Sequence, residues 1–68
     1  MNYKYLKYWI EVMEDIKLLE QLMKENLYMY QETQDMLYLE YIINNINEIF
    51  RLKQLSQKYY NKYYYILP

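Results

Sequence analysis

Glu11, Glu14 and Asp15 are the densest set of side chains here that could do chemistry: three carboxylates at helical spacing, the kind of cluster with which helical bundles hold divalent metals. Such sites pair their acids with a histidine and turn them into the core. This chain has no histidine, and its three acids fall opposite the apolar side of their own segment. They read as a solvated charged face. Other reactive constellations are missing as well. There is no cysteine to act as a nucleophile, Ser56 has no base placed beside it, and no glycine-rich loop exists to cradle a phosphate. The expectation is a protein that is not an enzyme and has no catalytic residues, no cofactor and no metal.

The segment from Arg51 to Tyr65 interleaves cations with rings, the composition by which single-stranded nucleic acid is held, cations tracking phosphates and rings stacking on bases. Lys53, Lys58 and Lys62 are the candidate contacts. Only four positive charges lie in this tail, the body is acidic and no nucleic-acid motif accompanies them, so packing or protein contact is preferred.

Twelve tyrosines stand against one phenylalanine in 68 residues. An AT-rich genome accounts for the missing Gly and Ala, but Tyr and Phe both have AT-rich codons, so the bias does not explain the preference. A ring carrying a hydroxyl suits half-buried surfaces at interfaces. Tyr59, Tyr60, Tyr63 and Tyr64 in the tail are therefore candidate self-association or partner residues. Tyr28, Met29 and Tyr30 join them, because Leu27 to Tyr30 places four apolar residues around one helical turn, more than a two-helix unit can cover.

These residues must be positioned by helices. With no glycine and a single proline at position 68, nothing breaks a helix strongly. Tyr5, Trp9, Val12, Ile16, Leu19 and Met23 follow at steps of four or three and define one face of a helix over about residues 3–28. Gln31 to Asp35 is the only run of five polar residues, and Thr33 or Asp35 could cap a following helix, which places a turn at about 30–35. Met36, Leu39, Ile43, Ile46 and Phe50 form the strongest apolar row of a second helix, about 36–50, and are expected to face the first. Leu52, Tyr59, Tyr63 and Ile66 lie on a different face, so a third helix or a bent continuation is expected over about 52–66. Asn45 to Glu48 has the form of a capping box but sits inside the strongest row.

The fold class expected is all-α: a helical hairpin with a bent or broken second helix, two to three helices in one small domain, assembling as a dimeric helical bundle. Self-association is expected because 68 residues bury little of their own surface and have neither cysteine nor histidine for cross-links or metals. Charge is segregated: residues 1–10 carry +2, 11–48 carry −7 and 49–68 carry +4. This favours antiparallel or intermolecular pairing of unlike segments. No apolar run approaches membrane-spanning length and no signal-peptide pattern is present, so a soluble cytoplasmic protein with no transmembrane segment is the default. Function is expected to be that of a non-catalytic protein-binding module, an adaptor or inhibitor that occludes a larger protein's surface, from a phage, virus or mobile element. A nucleic-acid-binding accessory protein is the first alternative, and a structural assembly subunit the second.

Overall fold

The computed structural model describes residues 3–64, which form two helices and no strand. Helix α1 spans Tyr3–Thr33 and helix α2 spans Met36–Tyr64, and the two pack against each other as an antiparallel hairpin. The expected turn falls at its C-terminal edge, because no residue between Leu27 and Thr33 opposes continuing the helix.

Without glycine, the reversal uses side chains. Gln34 takes the left-handed conformation at φ 54° and its N–H donates to the Tyr30 carbonyl at 2.7 Å, closing α1 with a single capping bond. Thr33 Oγ1 donates to the Met29 carbonyl at 2.8 Å and accepts from the Asp35 N–H at 3.2 Å. Asp35 Oδ1 then accepts from the Leu37 N–H at 3.0 Å, which makes Asp35 the N-cap of α2. The left-handed conformation costs an L-residue roughly 1–2 kcal/mol, a cost that glycine does not carry. Gln34→Gly is accordingly expected to stabilise the hairpin, by about 0.5 kcal/mol or more after glycine's own entropic cost. The urea midpoint should rise, and a fall would show that Gln34 contributes through its side chain.

The face of α1 is the expected one. Val12 and Ile16 are buried, and Tyr5, Trp9, Leu19 and Met23 are half-buried, with Asn26 and Tyr30 continuing the row at the same alternating steps. The face of α2 is not. Met36, Ile43, Ile46 and Phe50, expected against α1, are 65%, 56%, 50% and 64% exposed, and Leu39 is half-buried. The residues that meet α1 are Tyr38, Ile42, Asn45, Ile49, Leu52, Ser56, Tyr59 and Tyr63, a row displaced by one position. Its steps alternate between four and three without interruption, so one straight seam serves the whole of α2. This also removes the expected break near residues 51–57: Leu52, Tyr59 and Tyr63 belong to the seam that begins at Tyr38, and α2 is one helix. The last two positions of the expected third segment, Ile66 included, lie outside the described residues.

Two polar residues interrupt the apolar seam, and both are satisfied. Asn45 is 8% exposed and its Oδ1 accepts from Asn26 Nδ2 at 2.9 Å across the hairpin. Ser56 is buried and its hydroxyl contacts Met13 Sδ at 3.5 Å, a weak bond. Between them sits the apolar core of Val12, Ile16, Ile49 and Leu52, flanked by Leu19, Met23, Leu55 and Tyr59.

This core is thin for the surface it leaves outside. The chain exposes 5440 Å², where a compact monomer of 8.8 kDa exposes about 4,800 Å². Its radius of gyration is 15.6 Å, against about 11 Å for a compact domain of this length. The molecule is a rod of 54 × 14 × 11 Å.

Candidate functional site

The tyrosine-rich end of the hairpin, where Tyr5 and Tyr8 meet the end of α2, is largely occupied with itself. Tyr59 packs against both Tyr5 and Tyr8, with ring centroids 6.3 and 5.4 Å away, and the rings of Tyr5 and Tyr8 meet edge to face at 6.4 Å, so the three form a triangle. On the neighbouring side Trp9 contacts Tyr60 at 5.7 Å, and Tyr60 stacks on Tyr64 at 5.7 Å and 11°. Pairs of this kind contribute about 0.5–1.5 kcal/mol each beyond area burial. Two lysines close the cluster, Lys62 Nζ at 5.2 Å over the Tyr5 ring and Lys4 Nζ at 5.9 Å over Tyr8. Much of the phenolic excess thus zips the open end of a two-helix rod, where half-buried rings with hydroxyls at the water boundary suit the geometry.

The seven candidate contact residues are consequently divided. Tyr59 and Tyr63 sit on the seam toward α1 and are half-buried, as is Tyr30. Tyr60 and Tyr64 are 37% and 52% exposed at the open end, while Tyr28 and Met29 are 60% and 36% exposed near the turn. The two exposed groups lie toward opposite ends of a 54 Å rod, so they do not form one surface.

The three candidate nucleic-acid contacts are divided as well. Lys53 lines a shallow groove with Glu20, Met23, Ile46, Ile49 and Phe50. Lys62 covers the Tyr5 ring. Lys58, five residues beyond Lys53, is turned from it by about 140° around α2.

Sequence periodicity placed the most prominent surface inside the molecule. Met36, Leu39, Ile43, Ile46 and Phe50 form a second apolar row on α2, one residue out of phase with the seam and directed away from it. On the adjoining side of α1, Met23 of the groove is half-buried, and Leu27 is 41% exposed. The signal that could have identified this surface was present: two rows at alternating three and four spacing, offset by one, cannot both face the same partner helix.

The other flank is more polar. Asp15, Leu18, Glu48 and Arg51 line a shallow depression there, and Arg51 Nε donates to Glu48 Oε2 at 3.0 Å, with a second bond from Arg51 Nη2 to Glu48 Oε1. The hydrogen bond from Arg51 holds the Glu48 carboxyl below the ordinary carboxylate range, and the same bond raises Arg51. Both groups are solvent-exposed, so the pair adds little to stability. Among the described residues no three acids converge on a point that could hold a metal ion, and no helix is long and apolar enough to cross a membrane.

Charge divides along the rod rather than across it. The turn half, residues 19–49, carries Glu20, Glu25, Glu32, Asp35, Glu40 and Glu48 against Lys24, a net −5. The open half, residues 3–18 and 50–64, carries Lys4, Lys7, Lys17, Arg51, Lys53, Lys58 and Lys62 against Glu11, Glu14 and Asp15, a net +4. Within one hairpin the basic ends lie beside each other and the acidic middle folds on itself, so the pairing of unlike segments expected from the sequence is not met inside the chain.

Fold and surface together define a heptad-patterned, antiparallel two-helix hairpin with a second apolar row on α2. No known protein family matches the chain, and neither the curated proteins nor the solved structures contain a match.

Proposed function

We propose that this chain is a non-catalytic protein-binding module that works as a homo-oligomer, an adaptor or inhibitor that covers a surface of a larger protein. One observation carries the reading: a folded hairpin displays an ordered apolar row along α2, with further large apolar side chains at its tip, where small monomers rarely expose contiguous patches of this kind. The foreign surface is met by the turn end, where Tyr28, Met29 and Leu37 are 60%, 36% and 45% exposed around the tip of the rod. A rigid, amphipathic tyrosine beside an adaptable methionine and a leucine on a narrow tip suits insertion into a concave site. Small size and AT-rich composition fit a product of a phage, virus or mobile element, a setting in which small acidic helical inhibitors are common. Nucleic-acid contact has less support, because Lys53, Lys58 and Lys62 do not form one track.

The test is affinity capture from the source cell with the wild-type chain and with Tyr28→Ser/Met29→Ser, whose substitutions lie on exposed positions and whose helicity is checked by circular dichroism. A protein retained by the wild type should be depleted at least tenfold with the variant. Equal retention of the same proteins by both would overturn the assignment of the tip.

A further inference from the structure

We infer that the outer row of α2 is the self-association seam of this protein, covered by the same row of a second copy running antiparallel, with the two-fold axis passing beside Ile43. The inference rests on the reading of the chain as a protein-binding homo-oligomer and names its surface and its geometry.

Three observations converge on a second copy as the occupant. The first is that the row is self-complementary when reversed. Met36 and Phe50 each lie seven residues from Ile43, so an antiparallel copy places Met36 against the partner's Phe50, Ile43 against the partner's Ile43, and Leu39 beside the partner's Ile46. Large side chains meet large ones without leaving a polar residue inside, and the isologous contact closes on itself as a dimer.

Charge supplies the second argument and also selects the direction. The turn half of the hairpin carries −5 and the open half +4. A parallel copy would set like charge beside like along the whole rod. An antiparallel copy about Ile43 brings Lys53, on the flank beside the row, alongside the partner's Asp35. Unlike pairing, which the chain does not achieve within itself, is achieved between copies, and it rejects the parallel alternative.

Area is the third. The hairpin exposes 5440 Å², roughly 600 Å² more than a compact monomer of its mass. The excess comes from the rod shape, and laying two rods side by side along the apolar row is the arrangement that covers it. The same chemistry argues against an unrelated polar partner: nothing along Met36, Leu39, Ile43, Ile46 and Phe50 offers a hydrogen bond, so specificity must come from the spacing of the row and from the charges beside it.

The absence of cysteine from the chain makes a direct test available. Single Ile43→Cys, single Met36→Cys and double Met36→Cys/Phe50→Cys variants of the full chain are oxidised at micromolar concentration and run on a non-reducing gel, beside sedimentation equilibrium of the wild type. The wild type should sediment as a dimer. Ile43→Cys and the double variant should cross-link to covalent dimers in high yield, and Met36→Cys alone should not, because its two copies lie about 20 Å apart across the axis, fourteen residues of helix. Phe50→Ser, lost twice in a symmetric contact, should weaken dimerisation about 100-fold or more while helicity persists in the monomer. A monomeric wild type overturns both the seam and the homo-oligomer. A dimer that cross-links through Met36→Cys as readily as through Ile43→Cys is parallel and overturns the geometry, and a dimer that cross-links through neither uses another surface and overturns the seam alone.

Discussion

Ile16→Ala is expected to lower the stability of the fold by about 2–5 kcal/mol, the range for truncating a buried aliphatic side chain without full collapse of the cavity. Ile16 is 3% exposed, the most buried of the apolar core residues, and it sits in the cluster with Val12, Ile49 and Leu52. A domain of this length has on the order of 3–10 kcal/mol in total. The substitution therefore removes a large share of the stability, and at the lower end of that range the chain unfolds at room temperature. Leu18 provides the control: it lies two residues away on the same helix but is 70% exposed on the polar flank. Leu18→Ala should shift stability by no more than about 0.5 kcal/mol, the usual range for a surface change. Urea titration followed by circular dichroism at 222 nm, at one fixed protein concentration, measures both. Equal losses for the two variants would mean that the seam through Val12 and Ile16 is not what holds the helices together.

That comparison turns on which face of each helix points inward, and the sequence answered for α1 and misled for α2. Along α1 the row from Tyr5 to Met23 has no rival, since the opposite side carries Lys7, Glu11, Glu14 and Glu25, so burial follows directly from period. Along α2 two rows compete one residue apart. Period and hydrophobicity favour Met36, Leu39, Ile43, Ile46 and Phe50, which contain no polar residue, over a seam that contains Asn45 and Ser56. Continuity favours the seam, which alone runs on through Leu52, Tyr59 and Tyr63, but what makes its two polar members acceptable is information that periodicity does not contain. Asn45 is acceptable inside because Asn26 meets it from 19 residues away, and Ser56 because Met13 meets it from 43 residues away. Reading the wrong row as the seam then created the apparent phase shift after Phe50, and with it a break in a helix that is continuous. The turn was legible to within a few residues because five polar residues in succession have no place on an apolar seam. Its mechanism, a left-handed Gln34 followed by the Asp35 cap, needed coordinates, because glutamine carries no signal for that conformation. The tyrosines were legible as boundary residues, but their partner was not: Tyr59 meets Tyr5 and Tyr8 of the same chain.

The competition between the two rows makes the Asn26–Asn45 bond a selector of how α2 faces α1, beside Leu52 and Tyr59 further along the seam, and this sets the second large expectation. Rolling α2 by one residue, about 100°, would turn the all-apolar row of its first half against α1 and move Asn45 toward solvent, while in its second half Leu52 and Tyr59 would turn outward and Lys53 and Gln57 inward. Asn45 would lose nothing there, since water satisfies it. Asn26 would be left facing apolar side chains without its partner, at a cost of about 1–3 kcal/mol for an unmet buried amide. The native arrangement avoids that cost through one bond of 2.9 Å. Replacing only Asn26 by leucine removes this part of the preference: Asn45 then becomes the orphan, and the native facing is penalised by about 1–3 kcal/mol. Asn26→Leu should therefore lower stability or roll the helix, moving Ile46 and Phe50 inward and Ile42 and Ile49 outward. Nuclear Overhauser contacts from the Ile16 methyls separate these outcomes, reaching Ile49 in the native facing and Phe50 in the rolled one. Adding Asn45→Leu should recover the loss and bring stability to the wild-type level or above, since an apolar pair of suitable size in place of a buried polar pair is often neutral or stabilising. The two substitutions are thus expected to be strongly non-additive, with a coupling of about 1–3 kcal/mol of the kind contacting residues show. If instead the single and double variants add, or if Asn26→Leu costs nothing and keeps the contact of Ile16 with Ile49, the facing of α2 is set by the turn and the aromatic end, and the asparagines are incidental to it.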